Sequence, residues 1–222
     1  KPKKKLMDLT NFATLKTAIA SEFSRSDTGF TNAVPDYVLR AEAVLNRRLR
    51  THQMRATATV TISSSASTAS LPTGFLSDIG LHYTSDLSQL TPATDADLVY
   101  RGATDSGQPR LYRVGATVYE FDRPADQSYA TKAVYFKANN LTSDATNWLM
   151  TNYPDAYLYA SCFEAAAARQ AKDRMAIYKP LRDEIIEEIN RLNSKTQGRV
   201  RMRHDSSLAR GNQFNVNTGG YL

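Results

Sequence analysis

The chain begins and ends in helical periodicity and alternates in between. Phe12, Leu15, Ile19 and Phe23 recur every three or four residues, which predicts a first helix over about Asn11 to Phe23, capped by Thr10. A polar stretch with Asp27, Gly29 and Asn32 reads as a loop leading to Pro35, at the start of a second helix. There Val38, Ala41, Leu45 and Leu49 form one apolar stripe, with Arg40, Arg47, Arg48, Arg50 and Arg55 on the other faces and at the end. From Ala56 the period shortens to two. Thr57, Thr59 and Thr61 alternate with Ala58, Val60 and Ile62, the pattern of a half-buried strand. The run SSSAS reads as a hairpin turn into Ala69–Leu71. Further strands are expected at Leu98–Arg101, Leu111–Val114, Thr117–Phe121 and Lys132–Phe136, punctuated by a DSGQP turn and by Gly115.

After Asn140 the helical period returns. Ser143 and Asp144 are candidate caps for a short helix carrying Trp148, Leu149 and Met150. Pro154 suits the first position of the next helix, where its missing N–H costs nothing. That helix runs through Tyr157, Leu158, Ser161, Cys162, Ala165 and Ala168, and its Ala-rich face lets another backbone come close. A break is expected near Lys172–Asp173, with Asp173 capping a last helix whose Met175, Tyr178, Leu181, Ile185, Ile189 and Leu192 share a face. Pro180 lies inside that pattern and predicts a kink or a helix start. Asp183, Glu184, Glu187 and Glu188 make the exposed face acidic, either as a solvated surface or as a contact for a basic neighbour.

Helices, then strands, then helices describe an α+β protein and disfavour a parallel nucleotide-binding sheet. The expected plan is a bundle of about four helices built from residues 7–55 and 138–196, with an antiparallel β-lobe inserted at 56–137. Residues 1–6 form a basic N-terminal extension and 197–222 an extended C-terminal arm. The arm is polar, basic and rich in Gly and Asn, with too little to bury to fold alone, so its order would come from a partner.

A length of 222 residues with 41% hydrophobic and 23% charged content is ordinary for a globular domain. No apolar run approaches the roughly 20 residues needed to cross a bilayer. No secretory signal is read, because Lys1–Lys5 is followed by polar, periodic sequence. Met7 reads as a candidate start, which makes KPKKK a tag remnant or a processing product. The formal charge of +6 divides into +4 on residues 1–5, +4 on 195–222 and −2 on the body between them. Basicity concentrated at the ends suits capture of nucleic acid or an acidic partner surface. Cys162 is the single cysteine; it allows no intrachain disulfide and reads as a small buried residue.

Catalytic chemistry finds little foothold. His52, His82 and His204 stand apart, with no second ligand at metal-binding spacing. Neither a phosphate-cradling glycine loop nor a nucleophile elbow is present. Asp95/Asp97 and Glu120/Asp122 are close carboxylate pairs, each expected on one face of a strand, but nothing marks a substrate cleft beside them. The reading is a protein without enzymatic activity, metal or cofactor. The basic segments permit contact with DNA phosphates, and no base-reading motif accompanies them.

The pattern W-L-x-x-x-Y-P-D-x-Y-L-Y-x-S-x-x-E-A-A, from Trp148 to Ala166, is more particular than a generic helical hairpin. It resembles the helical signature of the head-to-tail adaptor (connector) proteins of short-tailed bacteriophages. Other blocks fall in the same order. Met7–Asp27 is similar to the family's opening helix, and Val34–Met54 to its second, with Ala41, Glu42, Asn46, Arg47, Leu49 and Arg50 on matching positions. Leu71–Leu76 and Pro109–Phe121 are similar to elements of its middle. The resemblance covers most of residues 7–193. It implies a virion protein at the head–tail junction, assembled in the host cytoplasm into a homo-oligomeric ring, typically of twelve copies. Such a ring sits beneath the portal, extends the channel for packaged DNA and receives tail or nozzle proteins. The character of the arm makes Arg199, Arg201, Arg203, Arg210, Phe214 and Tyr221 candidates for portal contact, and Arg47, Arg48 and Arg50 for ring or DNA contact. The alternatives are a tail-completion or stopper protein and a virion-borne wall-degrading enzyme.

Overall fold

Asn11 and Thr14 cap the first helix reciprocally. The Asn11 side chain accepts from the Thr14 N–H at 3.0 Å, and the Thr14 hydroxyl accepts from the Asn11 N–H at 3.0 Å. The cap of α1 (Phe12–Glu22) is therefore Asn11, one residue after the expected Thr10. Asp27 caps α2 (Thr28–Arg48) by accepting from the Phe30 N–H, so the helix starts two turns before Pro35 and absorbs the stretch expected to be a loop. Proline is tolerated there because the carbonyl it leaves unpaired, on Thr31, belongs to an exposed residue. The computed structural model describes residues 9–101, 105–144 and 146–196, with two short strands at 214–215 and 220–221.

The middle of the chain holds two small sheets. In the first, β7 (Tyr129–Lys137) lies between β1 (Arg55–Ile62) and β3 (Phe75–Tyr83), antiparallel to both. In the second, the order is β2 (Thr68–Ser70), β6 (Val118–Phe121), β5 (Leu111–Val114), β4 (Thr91–Pro92), and the β4–β5 pair is parallel. The SSSAS segment is thus a corner between sheets, since β1 pairs with β7 and β2 with β6. Leu98–Arg101, expected as a strand, lies in a helix, α3 (Asp95–Arg101). Thr94 and Asp97 decide it: the Thr94 hydroxyl donates to the Asp97 carboxylate at 2.8 Å and accepts from the Asp97 N–H at 3.2 Å.

Leu141–Asp144 (α4) is itself one helical turn, and Asn147 caps α5 (Trp148–Asn152) by accepting from the Met150 N–H, in place of Ser143 or Asp144. Pro154 opens α6 (Pro154–Ala168) as expected. Gln170, at a φ of 55°, turns the chain into α7 (Lys172–Thr196). Pro180 sits within α7, and the carbonyl it orphans, on Ala176, belongs to an exposed residue. A two-residue ladder pairs Phe214 with Tyr221, between β8 (Phe214–Asn215) and β9 (Gly220–Tyr221).

Two apolar cores result. The helical core joins Leu15, Phe30, Val38, Leu45, Leu49, Leu149, Tyr157, Cys162, Ala165 and Ile189, with α6 packed between α2 and α7. Alanines at 156, 160, 165 and 166 are buried and permit this close approach. On α7 the buried residues are Tyr178, Ile186 and Ile189; Ile186 takes a place expected for Ile185, and Leu192 is exposed. The second core, between the sheets, gathers Val60, Ile62, Leu81, Leu90, Tyr112, Tyr119 and Phe121.

Candidate functional site

Glu42 and Asn46, one turn apart on α2, are buried polar residues in an otherwise apolar helix face, and their partners explain them. Asn46 pairs with the backbone of Asn139 on both sides, donating to its carbonyl at 2.9 Å and accepting from its N–H at 2.9 Å. The Glu42 carboxylate accepts from the Leu141 N–H at 2.7 Å and the Tyr157 hydroxyl at 2.7 Å. Asn147 donates in turn to the Tyr157 oxygen at 2.8 Å. This network clamps the chain where it leaves β7 for the helices, and so fixes the lobe's exit against α2 and α6.

The basic end of α2 is tied down unevenly. Arg50 donates to the carbonyls of Asn46 and Leu49, covering the orphan acceptors of the helix terminus. Arg48 pairs with Asp183 on α7, where Asn190 and Asn193 also donate to the Arg48 and Arg50 carbonyls at 3.3 and 3.0 Å. Burial opposes ionisation of Asp183, but hydrogen bonds from Arg48 and Arg182 outweigh it and hold the carboxyl below its ordinary range. Part of the acidic face of α7 thus answers a basic neighbour within the chain. Arg47 is exposed and has no ion pair among the described residues. Of the three arginines expected to meet a partner, Arg48 and Arg50 are engaged internally and Arg47 is available. In the arm, only the backbone pairing of Phe214 with Tyr221 is described; Arg199, Arg201, Arg203 and Arg210 lie outside the described residues.

The carboxylate pairs have structural partners. Asp122, buried at the end of β6, accepts from the N–H groups of Arg110 and Leu111 at 2.9 and 3.2 Å. Glu120 and Asp95 both pair with Arg113. Asp95 and Asp97 sit on α3, not on a strand. Asp78 joins the two sheets by accepting from the hydroxyls of Tyr112 and Tyr119. Burial, reinforced by that carboxylate, raises both phenols well above the usual tyrosine range. No sequence signal marks Asp78, because β3 shows no alternation to distinguish its inward positions. His52 is exposed and bonded to Asn193, at 3.0 Å through its N–H and 3.2 Å through its ring. Among the described residues no three His, Cys, Asp or Glu converge as a metal site, and no helix is long and apolar enough to cross a membrane.

A family model described as SU10 adaptor protein matches residues 10–206. The chain belongs to that family. No curated protein matches it. The SU10 adaptor match extends beyond the resemblance read over 7–193 and takes in Arg199, Arg201 and Arg203, while leaving Arg210, Phe214 and Tyr221 outside. Adaptors of this kind are phage structural proteins. In this adaptor, Trp148, Tyr157, Glu42 and Asn46, which carried the resemblance, lie in or beside the clamp between lobe and helices.

Proposed function

We propose that this SU10 adaptor forms a ring, of twelve copies by the family's habit, that joins the portal to the tail and prolongs the channel for packaged DNA. The family match over residues 10–206 carries the reading. The distribution of charge supports it, because a body near neutrality with basic ends can self-pack while its extremities engage acidic or phosphate-bearing surfaces. Arg199, Arg201, Arg203, Arg210, Phe214 and Tyr221 are assigned to the portal contact, and tail or nozzle proteins to the far side of the ring. Contact with passing DNA is through phosphates and independent of base sequence. The inserted β-lobe at 56–137 and the helical body form two units of one protomer, and the arm at 197–222 grips the portal as a third.

Truncation after Thr196 tests this. The shortened chain is expected to remain soluble and helical by circular dichroism and to fail to co-sediment with portal rings, which the full chain joins. Undiminished joining by the truncated chain would move the portal contact into the body. If the full chain joins only after another ring has been added, it is a stopper and not an adaptor.

A further inference from the structure

Two exposed helix stripes have no packing partner among the described residues, and their charges are complementary. On α2, Asp36, Leu39, Arg40, Ala43 and Arg47 share the side away from the core, linked by steps of three or four residues, and all are exposed. Leu39 is 57% exposed and borders an open groove of about 450 Å³ with Ala43, Thr73, Gly74 and Lys137. On α7 the outward stripe is Ile177, Pro180, Glu184, Glu187, Glu188 and Arg191, again all exposed, with Ile177 at 58%. α6 lies between the two helices, so the stripes are separate surfaces of one copy.

We infer that the α7 stripe of one copy docks antiparallel on the α2 stripe of the next, and that this is the contact from which the proposed ring is built. Both helices rise about 1.5 Å per residue, so equal residue steps stay in register. With Asp36 set beside Arg191, Arg40 falls beside Glu187, and Arg47 comes within reach of Glu184. All of these match in sign, including the acid of the otherwise basic α2 stripe, Asp36, and the base of the otherwise acidic α7 stripe, Arg191. In the parallel direction each register that pairs Arg40 with Glu184, Glu187 or Glu188 also sets a like pair together, Arg47 with Arg191, Asp36 with Asp183 or Asp36 with Glu184. Leu39 and Ala43, set opposite the aliphatic stems of Glu188 and Glu184, supply the apolar part of the contact. Because the two surfaces differ, the contact is heterologous and repeats from copy to copy, as a closed ring requires. It also gives Arg47 its role, as a residue of the copy-to-copy contact and not of the DNA channel. The inference rests on the ring reading above.

Mixing charge-reversed full-length chains tests it. One variant carries Arg40→Glu and Arg47→Glu, the other Glu184→Lys and Glu187→Lys. Sedimentation velocity at low salt is expected to show higher-order species for the wild type, their loss in each variant alone, and their return when the two are mixed, since each then offers the surface the other needs. Circular dichroism melts confirm that both variants fold. A second arm mixes Arg40→Cys with Glu187→Cys under mild oxidation; disulfide-linked heterodimers are expected, and Arg40→Cys alone should give none. Native Cys162 is buried and does not interfere. A mixture that stays monomeric, or variants that associate as the wild type does, would overturn the assignment, as would a wild type that never self-associates. Portal binding by the wild type is measured in parallel. If it persists while complementation fails, the interface is wrong and the adaptor reading stands; if it is absent, the adaptor reading falls.

Discussion

The polar residues buried at the junction each answer several partners, so removing one strands more than one group. Asn46→Ala leaves both the N–H and the carbonyl of Asn139 unpaired in a buried position. The expected cost is about 2–4 kcal/mol, read as a lower midpoint in urea unfolding. Asp183 gives an acid dependence. Its carboxyl is held below the ordinary value of 3.8, so the stability it contributes is complete above that pH and is lost as pH falls through the depressed folded value. The melting-temperature gap between wild type and Asp183→Asn should therefore be open at neutral pH and shrink as pH falls below 3.8. Tyr112 and Tyr119 give the opposite limit. Their folded values are raised, so their contribution is intact below pH 10.0, the ordinary tyrosine value, and fades above it. An ultraviolet pH titration should find these two phenols ionising only as the lobe unfolds, whereas exposed tyrosines titrate normally.

At the scale of elements, α6 tolerates little change because its alanines set how closely α2 and α7 approach. Ala160→Leu, at a fully enclosed position, is expected to cost about 1–3 kcal/mol through overpacking, measurable by thermal melting. Asn147→Ala removes both the cap of α5 and the donor to Tyr157, and should cost about 1 kcal/mol or more. How well each element could be foreseen follows from how local its cause is. The stripes of α1 and α2 and the entry of Pro154 into α6 were legible, since spacing and proline geometry act within a few residues. The true start of α2 was hidden because Pro35 is a strong local signal, while Asp27 competes from two turns upstream. β3 escaped notice because bulges between Phe75 and Ser77 and between Asp78 and Gly80 break the alternation that marks a strand. α3 had a readable capping pair in Thr94 and Asp97, masked by the strand-like Leu98–Tyr100. As for the candidate site, charge and family pattern pointed to Arg47, Arg48 and Arg50 alike. Arg50 folds back locally on the carbonyls of its own helix end, whereas the pairing of Arg48 depends on α7 crossing nearby, which no local pattern encodes.

Across the whole molecule, the helical core and the core between the sheets are separate clusters, and the inter-copy and portal surfaces proposed above draw on the helices and the arm. Replacing Asp122 by Asn should weaken the grip on the Arg110 and Leu111 amides and lower lobe stability, while producing no change in any hydrolytic background on peptidoglycan, because that carboxylate is committed to the backbone. The path of the chain carries one further consequence. The insertion departs at Arg55 and comes back at Phe136, and these two residues are direct cross-strand neighbours on β1 and β7. Such neighbours stand only about 5 Å apart. A detour of some eighty residues therefore begins and ends at one doorway, like an appliance on a single socket. Evolution, or an engineer, can exchange or enlarge what is plugged in there without rewiring the helices behind it.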